Sequence, residues 1–240
     1  MILGAATQLM ILGGYHTKRR RPGQTDSEKL IERRLFWQAF ILDHDLSLQV
    51  GKPPIIGLEL IYDLPDELPG DRVGTVTFNS GSTLNILREQ VQLAQIKSKV
   101  YSLLYATSPC KRRADVDNKI ISELDSELCT WKATIPDLSR LTGPEKDQGL
   151  ICLTILHYRY YQILIVLHSF VFQSPTLIES EEGLGTLWSS IALCVGAARA
   201  TISLLDFHED RHPFSMYVYD YRLPLFFSRP WLKRFPPDSC

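Results

Sequence analysis

Only five of the 240 residues are cysteine, and no two of them form a Cys-x-x-Cys pair. Zinc modules need ligands close enough in sequence for a loop to close round the ion, so this chain holds none of that type. Cys110, Cys129, Cys152, Cys194 and Cys240 are odd in number and scattered, which argues against a disulfide framework. Their simplest reading is as thiols buried on apolar helices. No excess of either charge exists: 26 basic and 27 acidic residues leave a net charge of −1. Domains that hold nucleic acid by its phosphates carry a basic face and a high pI, so a pI near 6.6 gives no general attraction to DNA. No Gly-rich phosphate loop follows a strand and no Gly-x-Ser-x-Gly elbow occurs. The start, Met1 to Ala6, lacks the basic segment of a signal peptide. The longest apolar run, Ile151 to Phe172, is interrupted by His157, Arg159, Gln162 and His168. Arginine at a bilayer centre costs at least ~2.5 kcal/mol, so this run reads as a buried helix rather than a membrane span.

Strand signals are scarce, and helical periodicity fills their place. The chain is 45% hydrophobic and 22% charged, ordinary for a globular protein and enough for one large or two small domains. Its clearest element spans 26–50. Thr25 and Glu28 form a capping box ahead of it. Leu30, Trp37, Ile41 and Leu48 then line one face, while Ile31, Leu35, Leu42 and Leu46 line a neighbouring one. Apolar side chains on two faces predict an interior helix packed against several others. Gly51 is its C′ residue, and Pro53-Pro54 forbid continuation.

Other elements follow from similar signals. A helix over 3–12 stops at Gly13-Gly14, and residues 51–82 are irregular. Val73 to Phe78 has strand composition, but no partner strand is evident, so it reads as loop. Helices are predicted over 83–107, from a cap at Asp115 to Pro136, and from Gly143-Pro144 to Ser174-Pro175. A last helix covers 184–205, where Gly196, Ala197, Ala198 and Ala200 would let another helix approach closely. The expected fold is all-α, an irregular multi-helix domain without a regular repeat. Residues 206–240 depart from this pattern, since Leu223 to Pro237 carries four prolines among aromatics.

Few residues suggest chemistry. Asp43, His44 and Asp45 are adjacent on one helix and point about 100° apart, so they cannot converge on one ion. His157 and His168 lie three turns apart, roughly 16 Å along the axis. His208, Glu209, Asp210 and His212 read as a solvated loop ended by Pro213. Lys18 to Arg21 and Lys111 to Arg113 are basic tracts of nuclear-import size, although such tracts are more often solvated loops. Trp37, Tyr158, Tyr160, Tyr161 and Trp188 would line an apolar pocket or simply fill the core. No catalytic or metal-binding residue is assigned.

The run Glu32-Arg-Arg-Leu-Phe-Trp-Gln-Ala-Phe-Ile-Leu-Asp43, with Gly51-Lys-Pro-Pro54 after it, resembles the signature helix of the regulatory domain of fungal zinc-cluster transcription factors. That module is also called the middle homology region, or xylanolytic transcriptional activator regulatory domain. Its motif positions here are Arg33, Arg34, Phe36, Trp37, Asp43, Gly51, Pro53 and Pro54, with Lys52 where arginine is usual. Segments around Leu12-Gly13-Gly14-Tyr15-His16, Leu128 to Pro136, Leu156 to Tyr161 and Cys194 to Ala200 are similar to further family motifs. The resemblance implies a regulatory domain over 1–205, followed by a divergent tail over 206–240, with the domain truncated at both ends. It also implies a nuclear protein that regulates RNA polymerase II transcription and is not an enzyme. Zinc and DNA would be bound through the family's six-cysteine module, which is missing from this sequence, so no cofactor is expected here. Expected partners are a second copy or a full-length relative, and transcriptional co-regulators; no membrane partner is expected. The competing readings are an α-helical enzyme or small-molecule-binding protein unrelated to transcription, and a scaffold of helical hairpins.

Overall fold

The computed structural model describes residues 2–61, 63–78, 81–106, 113–137, 146–174 and 181–206. Among these, α-helices run Ile2–Leu12 (α1), Asp26–Val50 (α2), Ile86–Val100 (α3), Ala114–Thr134 (α4), Lys146–Ser169 (α5) and Glu181–Asp206 (α6). Two three-residue strands, Thr75–Thr77 (β1) and Thr83–Asn85 (β2), are the described sheet. The fold is therefore predominantly helical. The chain divides into two compact units, Met1–Ser102 with Ser139–Gly149 and Leu103–Leu138 with Leu150–Cys240.

In the first unit α2 dictates the packing. The Thr25 hydroxyl accepts the Glu28 amide at 3.2 Å, and the Glu28 carboxylate accepts the Thr25 amide at 2.8 Å. At the other end Gly51 adopts φ 63°, ψ 36°, a left-handed cap that glycine enters without steric cost. Between them Phe36, Trp37, Ala39, Phe40 and Ile41 are buried together with Ile56 from the following loop and Val91 and Ala94 of α3. Leu3, Met10 and Ile11 of α1 pack on the same cluster. Phe36, Trp37 and Phe40 meet edge to face at 5.4 and 6.0 Å between centroids, the arrangement that ring quadrupoles favour. Lys97 of α3 and Asp45 of α2 form a buried ion pair beside this core. Such pairs add little net stability but are costly to break from one side, about 3–5 kcal/mol.

The second unit is built from α4, α5 and α6. Ile121, Leu124, Leu128 and Trp131 of α4 are buried, as are Leu153, Leu156, Ile163 and Leu167 of α5. His168 of α5 sits where three helices meet, 3.2 Å from the Ser190 hydroxyl of α6 and 3.3 Å from the Asp125 carboxylate of α4. The Tyr105 hydroxyl donates to the Val166 carbonyl at 2.8 Å. Gly149–Gln173 and Leu184–Leu204 are long and apolar enough to cross a membrane by length and composition, with 56% and 17% of their windows buried.

The structure corrects several expectations. Val73 to Phe78 is not simply loop: Val76 pairs with Leu84 in an antiparallel hairpin. The partner strand was hidden because Thr83 to Asn85 is too short to show alternation. For the same reason the helix expected from residue 83 begins at Ile86, where the Asn85 side chain accepts the amides of Leu87 and Arg88. Tyr101–Tyr105 then continues it as a single π turn. α4 begins at Ala114, and Asp115 lies inside its first turn rather than at its cap. Nothing lies within 4 Å of a side chain built on Gly196, so no helix approaches there among the described residues. Cys129 is exposed rather than buried; Cys110 and Cys240 fall outside the described residues. So do Gly143-Pro144, Pro175, Lys111, Arg112 and the whole tail from 207, including His208, Glu209, Asp210 and His212.

The largest correction concerns the second apolar face of α2. Ile31, Leu35, Leu42 and Leu46 are 54, 50, 43 and 40% exposed, and Val50 extends their stripe. Periodicity reports that a face is apolar, not that something covers it. Phe40→Ala is expected to cost about 3–5 kcal/mol in denaturant unfolding, and Leu42→Ala about 0.5 kcal/mol or less. Equal losses would show that the second face is packed after all.

Candidate functional site

Everything distinctive about the first unit gathers along α2 and the loop that follows it. Gly51 turns the chain, and its amide and that of Lys52 both bond the Ser47 carbonyl. Pro53 and Pro54 have no amide hydrogen. The next donors are Ile55 and Ile56, and both are taken by one oxygen of the Asp43 carboxylate, at 2.7 and 2.8 Å. From Asp43 to Val50 α2 rises roughly 10 Å, so the loop folds straight back along the helix it has just left. Amide bonds to a charged carboxylate are worth about 1.5–3 kcal/mol each, and these two fix Ile56 in the core.

The arginine pair clamps the same loop further on. Arg33 donates from Nη2 to Asp63 at 2.8 Å, and Lys18 reaches the same carboxylate at 2.9 Å. Burial works against ionising Asp63, but these two cations more than offset it and lower its pKa. Arg34 grips Asp71 with both terminal nitrogens, at 2.7 and 2.6 Å, a planar fork that lysine cannot supply. That contact, helped by the Val73 amide, outweighs slight desolvation and holds the Asp71 carboxyl at about 2. The tract Lys18 to Arg21 is likewise pinned: Arg20 pairs with Asp26 at 2.7 Å and Arg21 with Glu32. Arg113, of the other basic tract, pairs with Asp115 at 3.0 Å.

Asp43, His44 and Asp45 each face a different partner. Asp43 holds the loop, the His44 ring bonds the Phe40 carbonyl at 2.9 Å, and Asp45 meets Lys97. Burial lowers the pKa of His44 despite the bond to Phe40 and the neighbouring carboxylates, which keeps its ring neutral near pH 7. In the second unit burial and Lys132 lower the pKa of His157, whose ring meets the Pro136 carbonyl at 3.1 Å. Among the described residues no three His, Cys, Asp or Glu side chains are grouped to hold a metal. Tyr158 is buried, Tyr160 stacks on Trp131, and Trp188 is 68% exposed, so the last neither fills a core nor lines a pocket there.

Trp37 does line a cavity. About 310 Å³ in volume, it opens between the N-terminal half of α2, the basic loop, the 65–73 loop and the start of α3. Leu30, Trp37 and Leu87 give it an apolar floor, while Lys18, Arg20, Lys29, Arg33 and Arg34 line it with positive charge. Asp26 and Asp66 are the carboxylates on its wall. Arg33 is almost buried, and its Nη1 has no hydrogen-bond partner among the described residues. Sequence reading found the arginines but missed Asp63, Asp71 and Lys29. For the two aspartates the only advance signal was the acidic, proline-punctuated composition of the loop, and Lys29, on α2, gave none.

The first unit is thus a predominantly helical module organised by its Arg-Arg, Phe-Trp and Asp helix and the Gly-Lys-Pro-Pro turn that follows. The family model described as the fungal specific transcription factor domain matches residues 1–133, and the chain belongs to that family. It is similar to an ABC-transporter-regulating transcription factor of Aspergillus fumigatus, 31% identical over 222 residues, which is 86% of this chain and 25% of that protein. The namesake from Aspergillus oryzae matches with the same identity and coverage. The fusaridione A cluster transcription factor of Fusarium heterosporum is 25% identical over 85% of this chain and 39% of its own. The chain thus spans about a quarter of the length of the first two curated relatives. No solved structure matches it.

Arg34 and Asp71 give the site a pH signature. A carboxylate with a depressed folded pKa adds stability that is full above its ordinary value of 3.8 and is lost as pH falls toward 2. The Asp71 carboxyl carbon should titrate in NMR near 2, and Arg34→Gln should move its midpoint up toward 3.8. A wild-type midpoint already near 3.8 would dismiss the fork.

Proposed function

We propose that this chain is the regulatory, middle homology domain of a fungal zinc-cluster transcription factor, extending over 1–205 with a divergent tail over 206–240. It works in the nucleus, in control of RNA polymerase II transcription, through contacts with a second copy or a full-length relative and with transcriptional co-regulators. DNA and zinc are engaged by the family's six-cysteine module rather than by these residues. The observation that carries this reading is the family match over 1–133, which contains the whole of α2 and the loop its side chains clamp. The role follows from how the unit is built. A helix holding its own following loop by a few charged contacts can settle in two packings that differ by a few kcal/mol, and a partner or effector that prefers one shifts the balance. Family and relatives are transcription regulators, and this favours regulation over the enzymatic alternative.

The test joins the 240-residue chain to a heterologous DNA-binding module and places that module's site before a reporter in a fungal host. A fluorescent fusion should collect in the nucleus, and reporter output should change several-fold relative to the DNA-binding module alone. Asp43→Ala, which frees the loop, should remove the change at matched protein level. The unfused chain should give no sequence-specific gel shift at ordinary salt. Output indistinguishable from the bare module, or a tight specific shift by the unfused chain, would refute the reading.

A further inference from the structure

The first unit leaves one whole face of α2 open. From Ile31 to Val50 the exposed residues of the helix are Ile31, Leu35, Gln38, Leu42, Leu46 and Val50. None is charged, and all but Gln38 are large and apolar. A helix face that meets only water carries charged and polar side chains, and a continuous apolar stripe marks a contact surface. None of these side chains lines the cavity beside Trp37. The stripe lies on the outside of a helix, so its occupant is another surface rather than a small molecule. It runs roughly 29 Å along the axis and about 10 Å across, a footprint on the order of 300 Å². Matched against a like strip, it stays below the ~1,200 Å² at which stable interfaces begin. Such a contact is weak and depends on concentration.

The stripe matches its own reverse. Laid antiparallel to a second copy, it sets Ile31 against Val50, Leu35 against Leu46 and Gln38 against Leu42, so every exposed position faces another. Its two ends carry opposite charge. Glu28 lies one turn before Ile31, and its capping-box bonds use Oε2 alone, which leaves Oε1 to solvent. Lys52 follows Val50, is exposed, and has no ion-pair partner among the described residues. In an antiparallel pair Glu28 of one copy meets Lys52 of the other at both ends. A parallel pair would set Glu28 on Glu28 and Lys52 on Lys52. We propose that this face is a weak interface between two copies of the chain, which pair through antiparallel α2 helices about a two-fold axis between Gln38 and Leu42. Gln38, the polar member of the stripe, lies beside that axis, where a polar residue fixes register at some cost in stability. The inference deepens the regulatory reading, which counts a second copy among the partners, and rests on it only for biological meaning. Pairing is measured without DNA or a promoter, so its failure would leave that reading standing.

The experiment is sedimentation equilibrium of the 240-residue chain up to about 500 µM, where a monomer–dimer equilibrium with a Kd on the order of 100 µM is expected. Leu42→Glu puts an unpaired charge beside the axis and should weaken pairing at least ~10-fold. Its circular dichroism spectrum should not change, since the Leu42 side chain is already exposed. Lys52→Glu, in the exposed turn, should weaken pairing several-fold, and decides alone if Leu42→Glu fails to fold. Orientation is read by cross-linking: a short bis-maleimide should join Leu35→Cys chains to Leu46→Cys chains faster than it joins either to itself. The wild type supplies the background from exposed Cys129. Trp188→Glu, on the exposed apolar face of α6, should leave the Kd unchanged. A monomer throughout the range, no effect of these α2 and turn variants when folded, or faster joining of Leu35→Cys to itself would each overturn the proposal. So would loss of pairing with Trp188→Glu, or sedimentation with phosphatidylcholine vesicles that Leu42→Glu abolishes.

Discussion

One carboxylate oxygen on Asp43 receives two main-chain amides, and the first unit is arranged around that contact. It exists because the two residues before them are prolines, which offer no amide and cannot continue a helix. The chain must leave α2 at Gly51, and without an acceptor waiting on the helix the amide of Ile56 would be buried unpaired. With Asp43 in place, Ile56 drops among Phe36, Phe40 and Val91, and the loop beyond it is committed to run back along α2. Arg33 and Arg34 then meet Asp63 and Asp71 further along that return path. Charged side chains on one helix thus organise a long, mostly irregular segment.

This arrangement accounts for why the helix carries so many buried polar groups. Lys29, Glu32, Asp43, His44 and Asp45 are all buried, and each has a partner on another turn, loop or helix within the unit. Each such contact is poor value as net stability against an apolar replacement, yet each is specific in direction. Together they fix which loop lies where, and they leave a gap between the basic loop, the returning loop, α2 and the start of α3. The cavity is a by-product of clamping by charge rather than by bulk.

What was legible in the sequence was local. Thr25 with Glu28, Gly51 and Pro53-Pro54 set the ends of α2 to the residue, because capping depends on neighbours three or four positions away. The burial of Trp37, Ile41 and Leu48 followed from spacing on one face. What escaped was set by partners remote in sequence. The β1–β2 hairpin needed two strands of three residues to find each other, and neither is long enough to declare a period. Asp63 and Asp71 lie 30 and 37 residues from their arginines, with no pattern joining them. Ile31, Leu35, Leu42 and Leu46 repeat at helical spacing, yet whether a neighbour exists to cover them is a tertiary fact. The cavity itself depends on two loops and two helices at once and left no trace in any single motif.

Amide hydrogen exchange at Ile55 and Ile56 probes the Asp43 contact most directly, since both donors sit in a stretch without regular secondary structure. Held as described, they exchange as slowly as the amides of Phe40 and Ile41 in the middle of α2, and Asp43→Asn speeds both together. If they exchange at the rate of an open loop in the native protein, the loop is not anchored to the helix, and the account of how this unit is built is wrong.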